Sequence, residues 1–141
     1  MKSLTVFVFI IFLFVSIYFA FLLKKREKIK INRESSWPEV LDLTISALQS
    51  GASISESLAN LGRVGPNAIK KEFRRFEENI LSGKKFDDCL TDLKREFADP
   101  ISDQLFECLY FAAKFGSKNT VKVLRELSEY VSADLALRAE I

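Results

Sequence analysis

Between Leu4 and Leu23 the chain reads LTVFVFIIFLFVSIYFAFLL, twenty residues without a charge. No other feature narrows the possible folds as far. A helix rises about 1.5 Å per residue, so a run of this length spans roughly 30 Å, the thickness of a bilayer's hydrocarbon core. Within lipid a single segment satisfies its own backbone polar groups only as a helix. The run predicts a transmembrane helix over 4–23, within an anchor of residues 1–23. A cleaved signal peptide has an apolar core of about 7–15 residues followed by a small-x-small site. Here the run leads through bulky residues straight into cations, YFAFLLKKR.

The flanks set an orientation. Lys2 stands alone on the amino side, whereas Lys24, Lys25, Arg26, Lys28, Lys30 and Arg33 crowd the other end. The positive-inside tendency therefore predicts a single-pass protein of the cytoplasmic (inner) membrane, with its N-terminus outside and its body in the cytoplasm. Residues 24–35 read as a basic juxtamembrane linker. Its cations Lys24, Lys25, Arg26, Lys28 and Lys30 suit contact with anionic lipid headgroups, although a plain stop-transfer signal has the same composition.

The chain has 21 Lys and Arg against 19 Asp and Glu, and from Ser35 onward the balance is 14 cations against 17 acids. A net of minus three excludes a phosphate-neutralising surface as the main design, so no nucleic-acid partner is expected.

The rest is punctuated for helices. ALQSGASISESLANL, residues 47–61, recurs in outline as NILSGKKFDDCLTDL, residues 79–93. Ser36 reads as an N-cap and Pro38 as a first-turn proline; Val40, Leu41, Ile45 and Leu48 mark one face, and Gly51 stops the helix. Ser53 and Glu56 form a capping-box signature before a short helix carrying Leu58 and Leu61, ending near Gly62. Gly65-Pro66 opens a helix with Ile69, Phe73, Phe76 and Ile80 inward, closed by Gly83. A second short helix from about Lys85 buries Phe86, Cys89, Leu90, Leu93 and Phe97, and Asp99-Pro100 breaks the chain. Leu105, Cys108, Ala112 and Phe115 mark the next inward face, with Phe106 and Leu109 widening it, before Gly116. A last helix carries Val121, Leu124, Leu127 and Val131.

Nothing after Ser35 alternates with period two. The fold class is therefore all-α: a transmembrane helix followed by a six-helix bundle of three hairpins over 36–141, keyed on Gly51, Gly83 and Gly116.

Chemistry is thinly represented. The chain lacks histidine, the commonest general base and metal ligand. Adjacent acids such as Asp87-Asp88 and Glu77-Glu78 diverge by about 100° around a helix, so neither pair grips one metal ion; Asp88 fits helix-start electrostatics instead. No glycine turn follows a strand or continues as GK[ST], which argues against a nucleotide site. Cys89 and Cys108 read as small apolar packers. No catalytic residue, cofactor or metal is expected. Lys70, Lys71, Arg74 and Arg75 form a basic stripe opposite Ile69, Phe73 and Phe76, which is a solvated face or a docking surface for an acidic partner or for the membrane face. Of thirteen phenylalanines, six lie in the anchor (Phe7, Phe9, Phe12, Phe14, Phe19, Phe21) and the others are expected to face inward.

The succession WPEVLDLTISALQSGASISESLANL, ILSGKKFDDCLTDL and LYFAAKFGSKNTVKVLRELSEYV resembles the cytoplasmic domain of the type II secretion system F family. Its nearest likeness is to the TadB-like platform proteins of tight-adherence (Tad) pili. The shared features are a glycine turn leading to an E-A-L type triplet, here Glu56-Ser57-Leu58 and Asp88-Cys89-Leu90, and an aromatic helix from Phe106 ending at Gly116. The resemblance covers about Trp37 to Ile141. It implies a non-enzymatic inner-membrane platform of a pilus or secretion machine, whose partners are a cytoplasmic assembly ATPase, pilins and other platform subunits in homo- or hetero-oligomers. Family members carry alanine at the positions of Ser57 and Cys89 and continue into further transmembrane segments. The chain stops inside a helical pattern, so a truncated relative, one piece of a split gene or a fragment is expected.

The alternative is a membrane-tethered helical-repeat adaptor of tetratricopeptide type. Its repeats have two comparable helices in roughly 34 residues, whereas the second helices here read as short.

Overall fold

A computed structural model describes residues 1–116 and 118–140, which form seven helices and divide into two compact units at Glu34/Ser35. The first unit is one helix, α1 (Lys2–Glu34), with no buried residue. It is long and apolar enough to cross a membrane. At about 1.5 Å per residue its 33 residues extend roughly 50 Å, beyond the roughly 30 Å of a hydrocarbon core. Residues 24–34, expected as a linker, continue this helix, because KKREKIKINRE lacks the proline or glycine that would end it.

The second unit holds α2 (Trp37–Gln49), α3 (Ile54–Val64), α4 (Lys70–Leu81), α5 (Phe86–Phe97), α6 (Pro100–Phe115) and α7 (Thr120–Ala139). The expected fold class holds: an apolar N-terminal helix, then six helices, with no strand among the described residues.

The repeated turns match in their hydrogen bonds. At the end of α2, Gly51 N donates to Leu48 O (3.1 Å) and Ala52 N to Ala47 O (3.1 Å); at the end of α4, Gly83 N donates to Ile80 O (3.1 Å) and Lys84 N to Asn79 O (3.0 Å). These are paired Schellman closures, and both glycines have φ near +93°. Ser50 and Ser82 each return a hydroxyl to the carbonyl three residues back, at 2.9 Å. Gly116 also has positive φ, 104°, but its ψ of 155° leaves the left-handed helical region, and its N–H instead reaches Ala112 O. The third turn thus departs from the other two.

The starts of the helices depart further from expectation. Ser53 and Glu56 close the capping box, with Glu56 N donating to Ser53 Oγ (3.1 Å) and Ser53 N to a Glu56 carboxylate oxygen (2.8 Å). Ser36 occupies the N-cap of α2 in a helical conformation and makes no side-chain cap bond. Gly62 lies inside α3, which runs on to Val64. Gly65-Pro66 does not open α4: Pro66 O accepts from Ile69 N and Lys70 N in a turn, and the helix begins at Lys70. Asp99 caps α6 through Ile101 N (2.7 Å) and Ser102 N (3.3 Å), with Pro100 in the first turn.

An aromatic knot centres the core. Trp37 stands edge-on to Phe97 at 5.0 Å, and Phe97 and Phe73 each approach Phe106, at 6.1 and 6.2 Å. Four helices therefore meet through large buried rings, whose area dominates the burial. Around the knot lie fully buried Leu41, Leu58, Ile69, Leu105 and Leu124.

Helix pairing crosses the expected hairpins. The most extensive packing is between α3 and α4 and between α2 and α7, so the six helices close into a ring. The second helices, α3 (11 residues) and α5 (12), are as long as α4 (12). Length therefore does not separate this domain from a tetratricopeptide array, contrary to expectation. Ring closure does, because repeats in an open solenoid touch only their neighbours, whereas here the first helix packs on the last.

Candidate functional site

The basic stripe of α4 is largely spent inside the domain. Arg74 donates from Nε to Gly62 O at 2.8 Å, tying α4 to α3. Arg75 bonds Glu96 of α5 at 2.5 Å, and that bond holds its guanidinium pKa above the ordinary value. Lys71 is exposed and Lys70 half-buried, and these two carry no ion pair among the described residues. The lysines, not the arginines, are the free charges of this face. The juxtamembrane cations Lys24, Lys25, Arg26, Lys28 and Lys30 are exposed along the end of α1, where Lys30 reaches Glu34 at 4.0 Å.

The acids follow the same pattern. Glu77 bonds Arg63 of α3 at 2.8 Å, Asp87 takes Lys114 of α6 at 3.0 Å, and Glu107 pairs with Lys94. Asp92 accepts from Lys84, which pushes the carboxyl pKa down and the ammonium pKa up. Exposed pairs of this kind contribute up to about 1 kcal/mol each. Their effect is to fix neighbouring helices in register. Among the described residues no cluster of three metal-ligating side chains forms. Both cysteines are free, and desolvation raises both thiol pKa values, which keeps them as unreactive thiols.

One surface departs from what the sequence predicts. Phe111 and Phe115, expected inside, are 53% and 81% exposed, with rings 6.0 Å apart and nearly parallel. Helical spacing groups Phe115 with Leu105 and Ala112, yet Leu105 and Ala112 are buried and Phe115 is not. The two rings line a groove of about 500 Å³ between α6 and α7 with Cys108, Ala112, Lys118 and Val123. Its signal in the sequence is charge: between Glu107 and Glu126 the chain has Lys114, Lys118, Lys122 and Arg125 and no acid. The groove sets two exposed aromatic rings among cations.

No curated protein and no solved structure matches the chain. A family model, that of the type II secretion system (T2SS) protein F, matches residues 40–141. This span takes in nearly the whole ring of six helices and well over half the chain, so the protein belongs to the type II secretion system protein F family.

Proposed function

We propose that this chain is a non-enzymatic platform component of the inner membrane, of the TadB-like kind, in a Tad or type IV pilus or a type II secretion machine. It couples a cytoplasmic assembly ATPase to pilin assembly through binding and force. The observation that carries this reading is the family match across the helical ring, joined in one chain to a helix of spanning length. The cations after the span support an N-terminus outside and the ring in the cytoplasm. Several of the ring's acids are spent in ion pairs between helices and burial raises both thiol pKa values, which supports a mechanical task. Other platform subunits are natural partners, and the α4 lysines and juxtamembrane cations are candidate contacts for protein and for lipid headgroups.

The test is made in the native cell. Affinity-tagged full-length chain is expected to retain the assembly ATPase, and its deletion to abolish pili or secretion. External protease on spheroplasts is expected to leave the ring uncut. A chain that retains no ATPase and whose deletion leaves both processes intact is not a platform component.

A further inference from the structure

Beside the groove between α6 and α7 the ring holds charge in reserve. Elsewhere its cations are committed to neighbouring helices: Lys114 pairs with Asp87 at 3.0 Å, Arg75 with Glu96 at 2.5 Å, and Lys94 with Glu107. Lys118, Lys122 and Arg125 are exposed and form no ion pair among the described residues. Standing at i, i+4 and i+7, they make one stripe along the start of α7, beside the face that carries Val123 into the groove. The floor is apolar, with the parallel rings of Phe111 and Phe115 and the half-exposed Val123. Glu126 and Glu129, also exposed, bound the stripe further along α7. The groove opens at one end of the ring. Gly116 and Thr120 line it, and they also line a cleft with Leu48, Ala52 and Ser53 beside the Gly51 turn. The 13 residues of α2 carry the chain about 20 Å from near Ser35 to that turn, so the groove lies at the end of the ring away from Ser35.

We propose that this groove takes an acidic amphipathic segment of a partner protein. Its aromatic or aliphatic side chains lie over Phe111 and Phe115, and its carboxylates face Lys118, Lys122 and Arg125. The groove's volume of about 500 Å³ suits a few side chains of such a segment, docked as a helix in a groove. Charge complementarity selects this occupant. The ring as a whole has 14 cations against 17 acids, so its field turns an acidic partner away everywhere except at an unpaired basic patch. A peptide can set carboxylates opposite three cations, apolar groups over the rings and neutral residues beside Glu126 and Glu129. A nucleic-acid backbone cannot, because it carries a charge at every nucleotide. An anionic bilayer offers a plane of headgroups, whereas the rings here border a groove between two helices. The inference rests on the groove alone and does not depend on the platform reading.

The test selects for chemistry. A random-peptide phage library is panned on the full chain in neutral detergent micelles, with Phe111→Ser/Phe115→Ser as counter-target. Retained peptides are expected to share Asp or Glu on either side of an aromatic or aliphatic residue. Synthetic copies, followed by fluorescence anisotropy, are expected to lose affinity about tenfold or more on Lys118→Glu/Lys122→Glu and on Phe111→Ser/Phe115→Ser, and to weaken as salt is raised. Lys71→Glu, a cation on α4 outside the groove, is expected to leave binding unchanged. All of these positions are exposed, and circular dichroism checks that each variant keeps the helical fold. No enrichment, a basic or uncharged consensus, or an equal loss on Lys71→Glu overturns the proposal. Phe115→Trp emission that is quenched by brominated anionic lipid in nanodiscs, and not relieved by the selected peptides, overturns it in favour of a membrane surface. A single-stranded oligonucleotide that outcompetes the peptides and is lost in the same variants overturns it in favour of nucleic acid.

Discussion

Gly62 and Gly51 are glycines for different reasons. A Cβ on Gly62 would lie 2.8 Å from Arg74 N and 2.9 Å from Arg74 Cγ, so a side chain there pushes α3 off α4 and strains the Arg74 bond to the Gly62 carbonyl. Gly62→Ala is expected to cost about 1–3 kcal/mol in urea denaturation, the usual range for overpacking. At Gly51 and Gly83 a Cβ meets nothing within 4 Å, and only the positive φ opposes it. Gly51→Ala and Gly83→Ala should therefore cost about 1 kcal/mol each, and alike, because their closures are the same. The two turn glycines were legible in the sequence because a helix stop is local. Gly62 was read as a stop as well, since close approach of two helices leaves no mark in the residues beside it.

At the scale of the helix, the repeat is unequal at its starts. α3 carries the complete capping box, whereas α5 has Lys85 at the position of Ser53 and no side-chain cap. Ser53→Ala is expected to destabilise by about 1 kcal/mol and Lys85→Ser to stabilise by about 0.5–1 kcal/mol, measured by thermal or urea unfolding. Residue 98 closes α5 as an alanine in the left-handed region, φ 46°, so Ala98→Gly should also stabilise, by about 1 kcal/mol. The bond from Lys84 to Asp92 fastens the turn to α5 and gives a pH signature. The carboxyl pKa is lowered in the folded state, so its stabilisation is fully present above the ordinary carboxylate pKa of about 4 and is lost as pH falls through the folded value. The stability gap between wild type and Asp92→Asn is expected at pH 7 and should close toward pH 2–3. Helix number, the capping box and the Asp99-Pro100 break were legible because they are written in consecutive residues. The start of α4 was not, since Pro66 suits a turn as well as a first helical position.

For the whole molecule, hydrophobic spacing identified a face on each helix but not which helix would cover it. Trp37 sits at the very start of α2, outside its apolar periodicity, yet it anchors the aromatic knot; Phe115 fits the inward spacing of α6 and is 81% exposed. The groove between α6 and α7 leaves only a run of cations without acids in the sequence, because helical spacing does not distinguish its exposed aromatic residues from core ones. Ring closure by α2 and α7 joins segments some eighty residues apart, and no local signal records it. It does have a measurable consequence. Leu124 of α7 is fully buried in the shared core, so Leu124→Ala should cost about 2–5 kcal/mol, a large part of the roughly 5–15 kcal/mol that holds a domain. If the ring is one cooperative unit, that loss is felt at its other end. Trp37 is the only tryptophan and is buried against Phe97, so its emission reports α2 and the knot, while far-UV circular dichroism reports all the helices. In Leu124→Ala the two signals should move together to lower urea, with coincident midpoints. A helical transition that precedes the Trp37 transition would mean that α7 melts alone and that the ring is held by the other five helices.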